Sequence, residues 1–256
     1  MFKFANNSLV FDGGHTDELS YQSCKILLGF PTYFKVVEII YAVEAIFTQH
    51  CIFTLVGAHY RDITLNGFII EQNRVYEAHN KDILKFRQLE RGFRLYLMAS
   101  SFDQSRLGLF RGDFRQCFSP ASDKIRVLKG PEFNYLKESQ LFFERPFKIS
   151  TNSDLSGIRL EGEKIEARQY DIVSSIVDDG LIQLTCNGPI VLLRCRQVTG
   201  GYPRIFSIIK TDLDFLAQYP MGSVVHFELI ELAEAKLLLL QREQELKNMI
   251  SRLESK

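Results

Sequence analysis

Two series of short apolar segments, rich in β-branched and aromatic residues, constrain the fold more than any other feature of this sequence. The first series is FKVVEIIY (34–41), CIFTLVG (51–57), DITLNG (62–67), RVYEAH (74–79), ILKFRQL (83–89) and FRLYLMA (93–99). The second series is FKIS (147–150), IRLEG (158–162), YDIVSSIV (170–177), LIQLT (181–185), PIVLLR (189–194), RIFSIIK (204–210) and VVHFELI (224–230). Asn66-Gly67 is a strong hairpin signal in the first series. Short strands at this spacing, with few helical patterns between them, predict an all-β barrel or sandwich.

A few segments have helical character instead. Residues 16–29 predict a short helix that Thr16 caps and that Gly29 ends in a left-handed conformation. Residues 130–143 predict a second helix with Pro131 in its first turn and an apolar face formed by its phenylalanines and leucines. A third short helix, DLDFLAQY, interrupts the second β series.

A polar, Gly- and Ser-containing stretch at residues 100–123 has no clear hydrophobic period, and we expect a loop between two lobes there. The sequence thus predicts an N-terminal β-rich lobe at 1–123, a C-terminal barrel lobe at 124–230 and a helical tail at 231–256. The tail has leucines at seven-residue spacing, namely Leu232, Leu239, Leu246 and Leu253. About three heptads are marginal for an independent coiled coil, so we expect the tail to pack on its own protein or on a partner, with a free dimerising coil as the alternative.

The charge balance and the cysteine usage exclude several classes of protein. Lys plus Arg (31) equals Asp plus Glu (31), so the chain has no basic excess for phosphate backbones, and we expect no nucleic-acid partner. No apolar stretch is long enough for a membrane span, and the N-terminal run lacks the apolar core of a signal peptide. The cysteines form no CxxC pair, and we expect a reducing, cytoplasmic location.

The histidines show none of the spacings that are typical of metal sites. They are His15, His50, His59, His79 and His226, and no two of them form an HxxxH or HxH pair. His50 precedes Cys51 on a predicted strand, where adjacent side chains point to opposite faces. We therefore expect surface or packing roles for the histidines and assign no metal ligand. The chain also has no phosphate-binding loop of the Walker type.

The stretch RCRQVTGGYPRI, residues 194–205, lies between two predicted strands and carries more hydrogen-bonding chemistry than a turn requires. Its candidate ligand-binding residues are Arg196, Gln197, Thr199, Gly200, Gly201, Tyr202 and Pro203. Paired glycines allow backbone N–H groups to approach an anion or a carbonyl closely, and an arginine fork suits a carboxylate or a phosphate. Such a corner fits a urea, a lactam or a ureido ring. The residues alone equally allow a structural corner whose polar groups satisfy its own backbone.

Two further segments offer candidate residues with the same ambiguity. In SDLSGIRLEG, Asp154 can act as a general base or as a ligand anchor, and Arg159 can bind a carboxylate. The alternative is an Asx-type turn formed by Ser153 and Asp154, with Arg159 paired to Glu161 at the surface. Gln183 lies on an otherwise apolar strand, where it either reaches into a pocket or satisfies an internal carbonyl.

Several of these segments together resemble a known family. SDLSGIRLEG, GLIQLTCNGPIVLLRCRQVTGGYPRI and DLDFLAQYPMGSVVHFELIELAEA occur in order and are similar to the allophanate hydrolase subunit 2 family, also called the biotin-dependent carboxyltransferase family. IRVLKGPEFNYL, GHTDELSYQSCKILLG and FTLVGAHYRDITLNG match upstream parts of that family. The resemblance covers most of the chain and is strongest after residue 124. It implies a mainly-β, two-lobed fold with a cyclophilin-like barrel in the C-terminal half.

The sequence departs from the family pattern at several positions. The usual N-terminal Thr-Val-Gln-Asp motif has no counterpart, and the arginine and methionine of the family's Ser-Asp-Arg-Met-Gly are Leu155 and Ser156 here. Cys195 replaces the acidic residue that usually precedes Arg196, and Thr185 lies where a proline is usual. These departures affect the transfer of an activity more than the transfer of a fold.

The resemblance implies the C-type subunit of an ATP-dependent 5-oxoprolinase-type complex, which converts 5-oxoproline to glutamate. Its partners would be the A-type and B-type subunits of such a complex, the latter related to allophanate hydrolase subunit 1. The implied catalytic residues are Asp154, Arg196 and Gln197. The implied substrate-binding residues are Ser153, Arg159, Gln183, Thr199, Gly200, Gly201, Tyr202 and Pro203. Two alternatives remain, namely carboxyl transfer to urea or a related amide from biotin carried on another chain, and a non-catalytic, KipA-like regulatory role.

Overall fold

The computed structural model describes residues 1–107 and 124–254, with side chains to residue 252. The chain divides into two compact units, one formed by Met1–Ser119 with Glu245–Lys256 and the other by Pro120–Gln244. Strands dominate both units, and the predicted mainly-β fold with a barrel in the C-terminal half is confirmed. No helix in the described ranges is long and apolar enough to cross a membrane.

The first unit contains two antiparallel sheets, and its predicted strands are present with one correction. The predicted strand 83–89 is split, because Ile83–Lys85 is a strand of its own whereas 88–89 begin the long strand that continues through 93–99. The strands of this unit are β1 (Phe2–Phe4), β2 (Leu9–Asp12), β3 (Phe34–Tyr41), β4 (Glu44–Phe47), β5 (Cys51–Arg61), β6 (Thr64–Leu65), β7 (Phe68–Ile69), β8 (Val75–Ala78), β9 (Ile83–Lys85) and β10 (Gln88–Ser100). Over the described residues, the sheet orders are β1-β4-β9-β6-β7 and β2-β3-β10-β5-β8. Asn66 and Gly67 both have positive φ, 52° and 87°, and form the predicted hairpin turn between β6 and β7.

Helix α1 (Glu18–Leu27) packs on β5 and β10, but its N-cap differs from the prediction. Asp17 caps the helix and accepts a hydrogen bond from the backbone of the first turn. Thr16 is not the cap because its N–H and its hydroxyl both donate to the carboxylate of Glu38, at 2.9 and 3.1 Å. Gly29 has a φ of +74°, so the predicted left-handed end of the helix is confirmed.

The carboxylate of Glu38 is fully buried and organises the region where α1 begins. Besides Thr16, it accepts hydrogen bonds from the hydroxyl of Tyr96 at 2.7 Å and from Nε of Arg94 at 2.9 Å. The Tyr96 hydroxyl in turn accepts the N–H of Asp17 at 2.8 Å. Burial and the charge of Glu38 raise the pKa of Tyr96 well above its usual value. A buried charge with this many donors is satisfied, so the chain before α1 is fixed on β3 and β10.

The second unit is built around one large sheet that curls until its edges nearly meet. Its strands are β11 (Ile125–Lys129), β12 (Phe147–Ile149), β13 (Gly157–Glu161), β14 (Ser175–Ile176), β15 (Leu181–Thr185), β16 (Gly188–Leu192), β17 (Thr199–Gly200), β18 (Arg204–Ile208), β19 (Val224–Val225) and β20 (Phe227–Leu229). In the described chain, the eight-stranded order is β19-β12-β13-β16-β15-β18-β11-β20. The two edge strands follow each other in sequence with His226 between them, which requires the sheet to curl into an almost closed barrel.

The barrel core is rich in phenylalanine. Phe142 lies at its centre and is fully buried. Its ring centroid is 4.5 Å from that of Phe206 and 4.9 Å from those of Phe147 and Phe227. Rings at these separations contribute packing and aromatic contacts together, so this cluster is the main apolar support of the barrel.

Two sequence predictions in this unit are wrong in part. The predicted helix at 130–143 is a 3₁₀ turn at Phe133–Tyr135 followed by α2 (Leu141–Glu144). Leu136 adopts an extended conformation and forms a β-bridge with Ala167, so pairing with a distant segment replaces the helix. The apolar pattern there marks contacts with the barrel core rather than a helical face. In the predicted strand 170–177, only β14 is regular, and it pairs outside the large sheet.

One ion pair joins α3 to the sheet of the second unit, and another joins α4 to α3. Helix α3 (Lys210–Leu216) is the predicted short helix, and its Asp212 accepts two side-chain hydrogen bonds from Arg126 of β11, at 2.9 and 2.6 Å. The tail forms α4 (Leu232–Glu254), as predicted. Arg242 of α4 donates to Asp214 of α3, so the first part of the tail packs on its own unit. Of the predicted loop at 100–123, Gln104–Arg106 forms a 3₁₀ turn and residues 108–123 lie outside the described ranges.

Replacing Phe142 with alanine tests the role of the phenylalanine cluster. We expect Phe142→Ala to lower the free energy of unfolding of the second unit by about 3–5 kcal/mol, because a fully buried ring leaves a cavity. Val173→Ala, at an exposed position of the same unit, should change it by less than about 0.5 kcal/mol. Urea titration followed by circular dichroism measures both. Equal stability of the two variants would contradict this account of the core.

Candidate functional site

The stretch at residues 193–203 is a crossover connection and not the turn that the sequence predicted. Strands β16 and β18 both pair antiparallel with β15, which lies between them. They are therefore parallel to each other, and parallel strands cannot be joined by a tight turn. The chain must return along the length of β15 before β18 begins. Its unusual length and composition follow from this topology.

The crossover lies directly against the side chain of Gln183 on β15. Ile182 and Leu184 belong to the barrel core, so Gln183 between them points to the opposite face, where it is only 2% exposed. Its Nε2 donates to the carbonyl of Tyr202 at 3.3 Å. A Cβ on Gly200 would lie 2.5 Å from the same nitrogen. Gln183 thus satisfies an internal carbonyl, and any side chain at position 200 would force the amide of Gln183 to shift.

The paired glycines do not form the anion nest considered for the sequence. A nest alternates right- and left-handed residues, whereas neither Gly200 nor Gly201 has a φ in the left-handed region. Strand β17, which contains Gly200, pairs with β14 instead. The carbonyl of Gly201 accepts the N–H of Ile172 at 2.8 Å. Much of the backbone of the corner is therefore occupied by a two-stranded ribbon.

Arg196 anchors the crossover to this ribbon. Its Nε donates to the carbonyl of Val177 at 3.2 Å, and its Nη2 donates to Asp178 at 2.7 Å. These contacts use two of the five N–H donors of a guanidinium. The side chain is 20% exposed, so Arg196 is oriented by the ribbon while part of its fork remains at the surface.

A second arginine, Arg204, holds the other end of the corner and was not among the predicted site residues. It binds Glu132 with two parallel side-chain hydrogen bonds of 2.8 and 2.6 Å, and its Nη1 donates to the carbonyl of Ile176 at 3.3 Å. The hydrogen bonds from Arg204 lower the pKa of Glu132, although burial opposes this shift. The available signal was that arginines bracket the Thr-Gly-Gly-Tyr-Pro run on both sides. Nothing in the sequence pointed to Glu132.

The remaining predicted site residues of the crossover differ in their exposure to solvent. Pro203 is buried and stiffens the approach to β18. Gln197, Thr199 and Tyr202 are exposed residues of the crossover. Together with the free part of the Arg196 fork, they supply donors, acceptors and an aromatic face.

The turn that contains Asp154 adjoins the start of the crossover, since the N–H of Leu193 donates to the carbonyl of Ser156 at 2.9 Å. The turn is of the Asx type, in which Oδ1 of Asp154 accepts the N–H groups of Ser156 and Gly157 at 2.8 and 3.1 Å. Burial raises the pKa of Asp154, but these bonds and the Ser156 hydroxyl outweigh it, and the net shift is downward. A carboxylate with a lowered pKa is a weak base, so this geometry suits an anchor better than a proton acceptor.

Ser153 and Arg159 lie in the same turn region. The hydroxyl of Ser153 accepts the backbone N–H of Arg159 at 3.0 Å. Arg159 is exposed on β13. Glu161, its proposed surface partner, accepts a hydrogen bond from the hydroxyl of Ser150. The structure therefore brings Asp154 to the beginning of the crossover and leaves the Arg159 side chain on the outer surface of the sheet.

Comparison with known proteins gives consistent matches. The family model described as carboxyltransferase domain, subdomain A and B, matches residues 10–106 and 111–229. The curated C subunit of the 5-oxoprolinase of Escherichia coli is 39% identical over 117 residues, which is 44% of this chain and 38% of that protein. The Haemophilus influenzae protein of the same name is 37% identical over 46% of this chain and 40% of its own length.

A solved structure extends the likeness to almost the whole chain. The crystal structure of Kluyveromyces lactis urea carboxylase covers 98% of this chain and 29% of its own, with a TM-score of 0.78 and 18% identity. At this identity the likeness concerns the fold alone. The matched segments of the curated relatives span less than half of those proteins.

Because Gly200 contacts Gln183, we expect alanine to be more destabilising at Gly200 than at Gly201. Gly200→Ala should cost about 1–3 kcal/mol of stability because its methyl group overlaps the Gln183 amide. Gly201→Ala is the matched control, since its nearest contact would be an ordinary 3.4 Å. In a Gln183→Ala background the cost of Gly200→Ala should fall below about 1 kcal/mol. A thermal-unfolding double-mutant cycle with no coupling between the two positions would refute the contact.

The ion pair between Glu132 and Arg204 makes stability depend on pH. Because the pKa of Glu132 is lower in the folded state, its contribution is complete above the ordinary value of 4.5 and is lost as pH falls through the lowered folded value. We expect Glu132→Gln to lose less thermal stability than the wild type between about pH 6 and about pH 3. Melting curves at a series of pH values measure this. Parallel pH profiles for the two proteins would be the contrary result.

Proposed function

Because the chain belongs to the carboxyltransferase domain family, subdomain A and B, we propose that it acts as the C-type subunit of an ATP-dependent 5-oxoprolinase complex that converts 5-oxoproline to glutamate. The observation that carries this proposal is the 39% and 37% identity to two proteins that are named as the C subunit of 5-oxoprolinase. We place the complex in the cytoplasm, in keeping with the four cysteines within the described ranges, which are all free thiols.

The crossover offers groups that match the chemistry of 5-oxoproline. This substrate has a carboxylate and a planar lactam amide with one N–H and one carbonyl. The free part of the Arg196 fork suits the carboxylate, because a guanidinium pairs with a carboxylate in planar geometry. Gln197 and Thr199 offer donors and acceptors for the lactam, and Tyr202 offers a flat face. Asp154, held in its turn, would anchor the N–H of the lactam rather than remove a proton.

The reaction requires ATP because opening a lactam is unfavourable without coupling. ATP and water are consumed, and glutamate, ADP and phosphate are formed. The lactam C–N bond breaks and its nitrogen becomes the amino group, one water supplies the new carboxylate oxygen, and a second water completes the phosphate that forms from the γ-phosphoryl group. We assign no residue of this chain to ATP, which would bind within the assembled complex. The contribution of this chain is to orient the lactam and to hold its charge, which lowers the barrier by positioning.

The ribbon beside the crossover suits contact with other subunits. Val173, Ile176 and Val198 are 91%, 76% and 75% exposed. Exposed apolar side chains that lie close together are typical of protein interaction surfaces. We propose that A-type and B-type subunits, the latter related to allophanate hydrolase subunit 1, complete the complex.

A second candidate function is a non-catalytic regulatory role on such a partner, as in KipA. The observation that favours it is the internal commitment of the corner. Arg204 binds Glu132 and the carbonyl of Ile176, and Gln183 donates to the carbonyl of Tyr202. One of the two contacts of Arg196 is to a backbone carbonyl. A crossover whose polar side chains mainly bond to each other and to nearby backbone can present a binding surface for a protein without binding a substrate.

An activity assay on the assembled complex tests the proposed function. We expect phosphate release from ATP to depend on 5-oxoproline when the chain is co-expressed with its A-type and B-type partners. Gln197→Ala and Arg196→Lys should lower kcat/KM by about 10- to 1000-fold, since each removes or misplaces a substrate contact. Arg145→Ala, which breaks a surface ion pair with Glu163 in the same unit, is the matched control and should leave activity unchanged.

The outcomes separate the candidate functions. A stable complex without 5-oxoproline-dependent hydrolysis supports the regulatory role and rejects the enzymatic one. Activity that appears only with a biotinylated carrier supports carboxyl transfer to an amide instead. Unchanged kcat/KM in Gln197→Ala and Arg196→Lys would move the substrate site away from the crossover.

A further inference from the structure

Two histidines and a glutamate meet at the end of one sheet in the first unit. Strands β5 and β8 pair antiparallel, with Cys51 opposite Ala78 and Ile52 opposite Glu77. The next position in this register places His50 opposite His79. Glu77 and His79 are two residues apart, so their side chains share a face of the strand. The three side chains therefore converge although they are distant in sequence.

The distances between their ligand atoms are short. Oε1 of Glu77 lies 2.7 Å from Nε2 of His50 and 3.3 Å from Nε2 of His79. One ligand atom from each residue lies within 4.8 Å of the others. Two atoms that bind one zinc ion tetrahedrally at about 2.0–2.2 Å are about 3.3–3.6 Å apart. Rotation of the two imidazoles would bring the three ligand atoms to these separations.

The two imidazoles pack against each other and against neighbouring residues. The ring of His50 stacks on that of His79, with centroids 4.6 Å apart, and on that of Phe102, with centroids 4.2 Å apart. Asp82 accepts the backbone N–H of His79 at 2.8 Å, and its carboxylate lies 3.9 Å from Nδ1 of the ring. The His50 and His79 side chains are 45% and 62% exposed, which leaves them room to turn so that their lone pairs converge.

We propose that His50, Glu77 and His79 form a binding site for a divalent transition-metal ion, with Zn²⁺ the best match. Two imidazoles and one carboxylate suit zinc, whereas Mg²⁺ and Ca²⁺ prefer oxygen ligands alone. Water completes the coordination on the exposed side. Strand β8 is at the edge of its sheet, so a bound ion joins this edge strand to β5. The site lies in the first unit and uses no residue of the crossover.

The affinity of the untagged chain for metal tests the proposal. Co²⁺ is the probe, because its visible spectrum reports ligand type, and competition by Zn²⁺ then gives the zinc affinity. We expect one ion per chain, without the charge-transfer band of a thiolate ligand from the exposed Cys186 or Cys195. His50→Ala and His79→Ala should each weaken binding by at least about 10- to 100-fold, since even outer-shell partners contribute that much.

Two further variants make the result decisive. Glu77→Gln keeps the size of the side chain but removes its charge, and it should weaken binding without changing the circular dichroism spectrum. His59→Ala is the matched control, because His59 is another exposed histidine on β5 beside a carboxylate, Glu90, and it should bind as the wild type does. Zn²⁺ should also raise the melting temperature of the wild type but not of His50→Ala. Wild-type affinity in His50→Ala, or a thiolate band in the Co²⁺ spectrum, would overturn the proposal.

Discussion

The contact between the backbone of Gly200 and the side-chain amide of Gln183 is the constraint on which the rest of the corner depends. Because β15 separates two parallel strands, the chain must pass over β15 to join them, and it passes at Gln183. Because Gly200 has no side chain, the crossover backbone can approach the Gln183 amide closely. The hydrogen bond from Gln183 to the carbonyl of Tyr202 fixes the distance between the crossover and β15. The ribbon and the two arginines then fasten the crossover at both ends.

This arrangement divides the polar groups of the corner into those that build it and those that remain for a ligand. The ion pair of Arg204 with Glu132 and the hydrogen bond of Gln183 hold the crossover in place. Part of the Arg196 guanidinium has the same role. Gln197, Thr199 and Tyr202 remain exposed. A site of this kind is preorganised, because the supporting bonds restrict the conformations of the groups that would contact the substrate. The proposed function therefore depends on a few exposed groups on a rigid support.

The strands and the end helix could be predicted from the sequence because their signals are local. Alternation of apolar residues marked the strands, Asn66-Gly67 marked a hairpin, and the leucine spacing marked α4. The order of strands in the barrel is not a local property, so the sequence predicts a turn within residues 194–205 where the structure has a crossover. For the same reason, the sequence could not show that Leu136 pairs with Ala167 instead of continuing a helix. Nor could it show that the register of β5 with β8 brings His50 close to His79. The candidate residues of the crossover came from composition and family resemblance, whereas their supporting partners required the fold.

Hydrogen–deuterium exchange of the assembled complex, with and without 5-oxoproline, tests the central claim most directly. If the crossover is a rigid platform that binds the lactam, peptides that span residues 194–205 exchange slowly in the free complex and more slowly still with substrate. Unchanged exchange in these peptides, while peptides of the partner chains become protected by the same substrate, would contradict the claim.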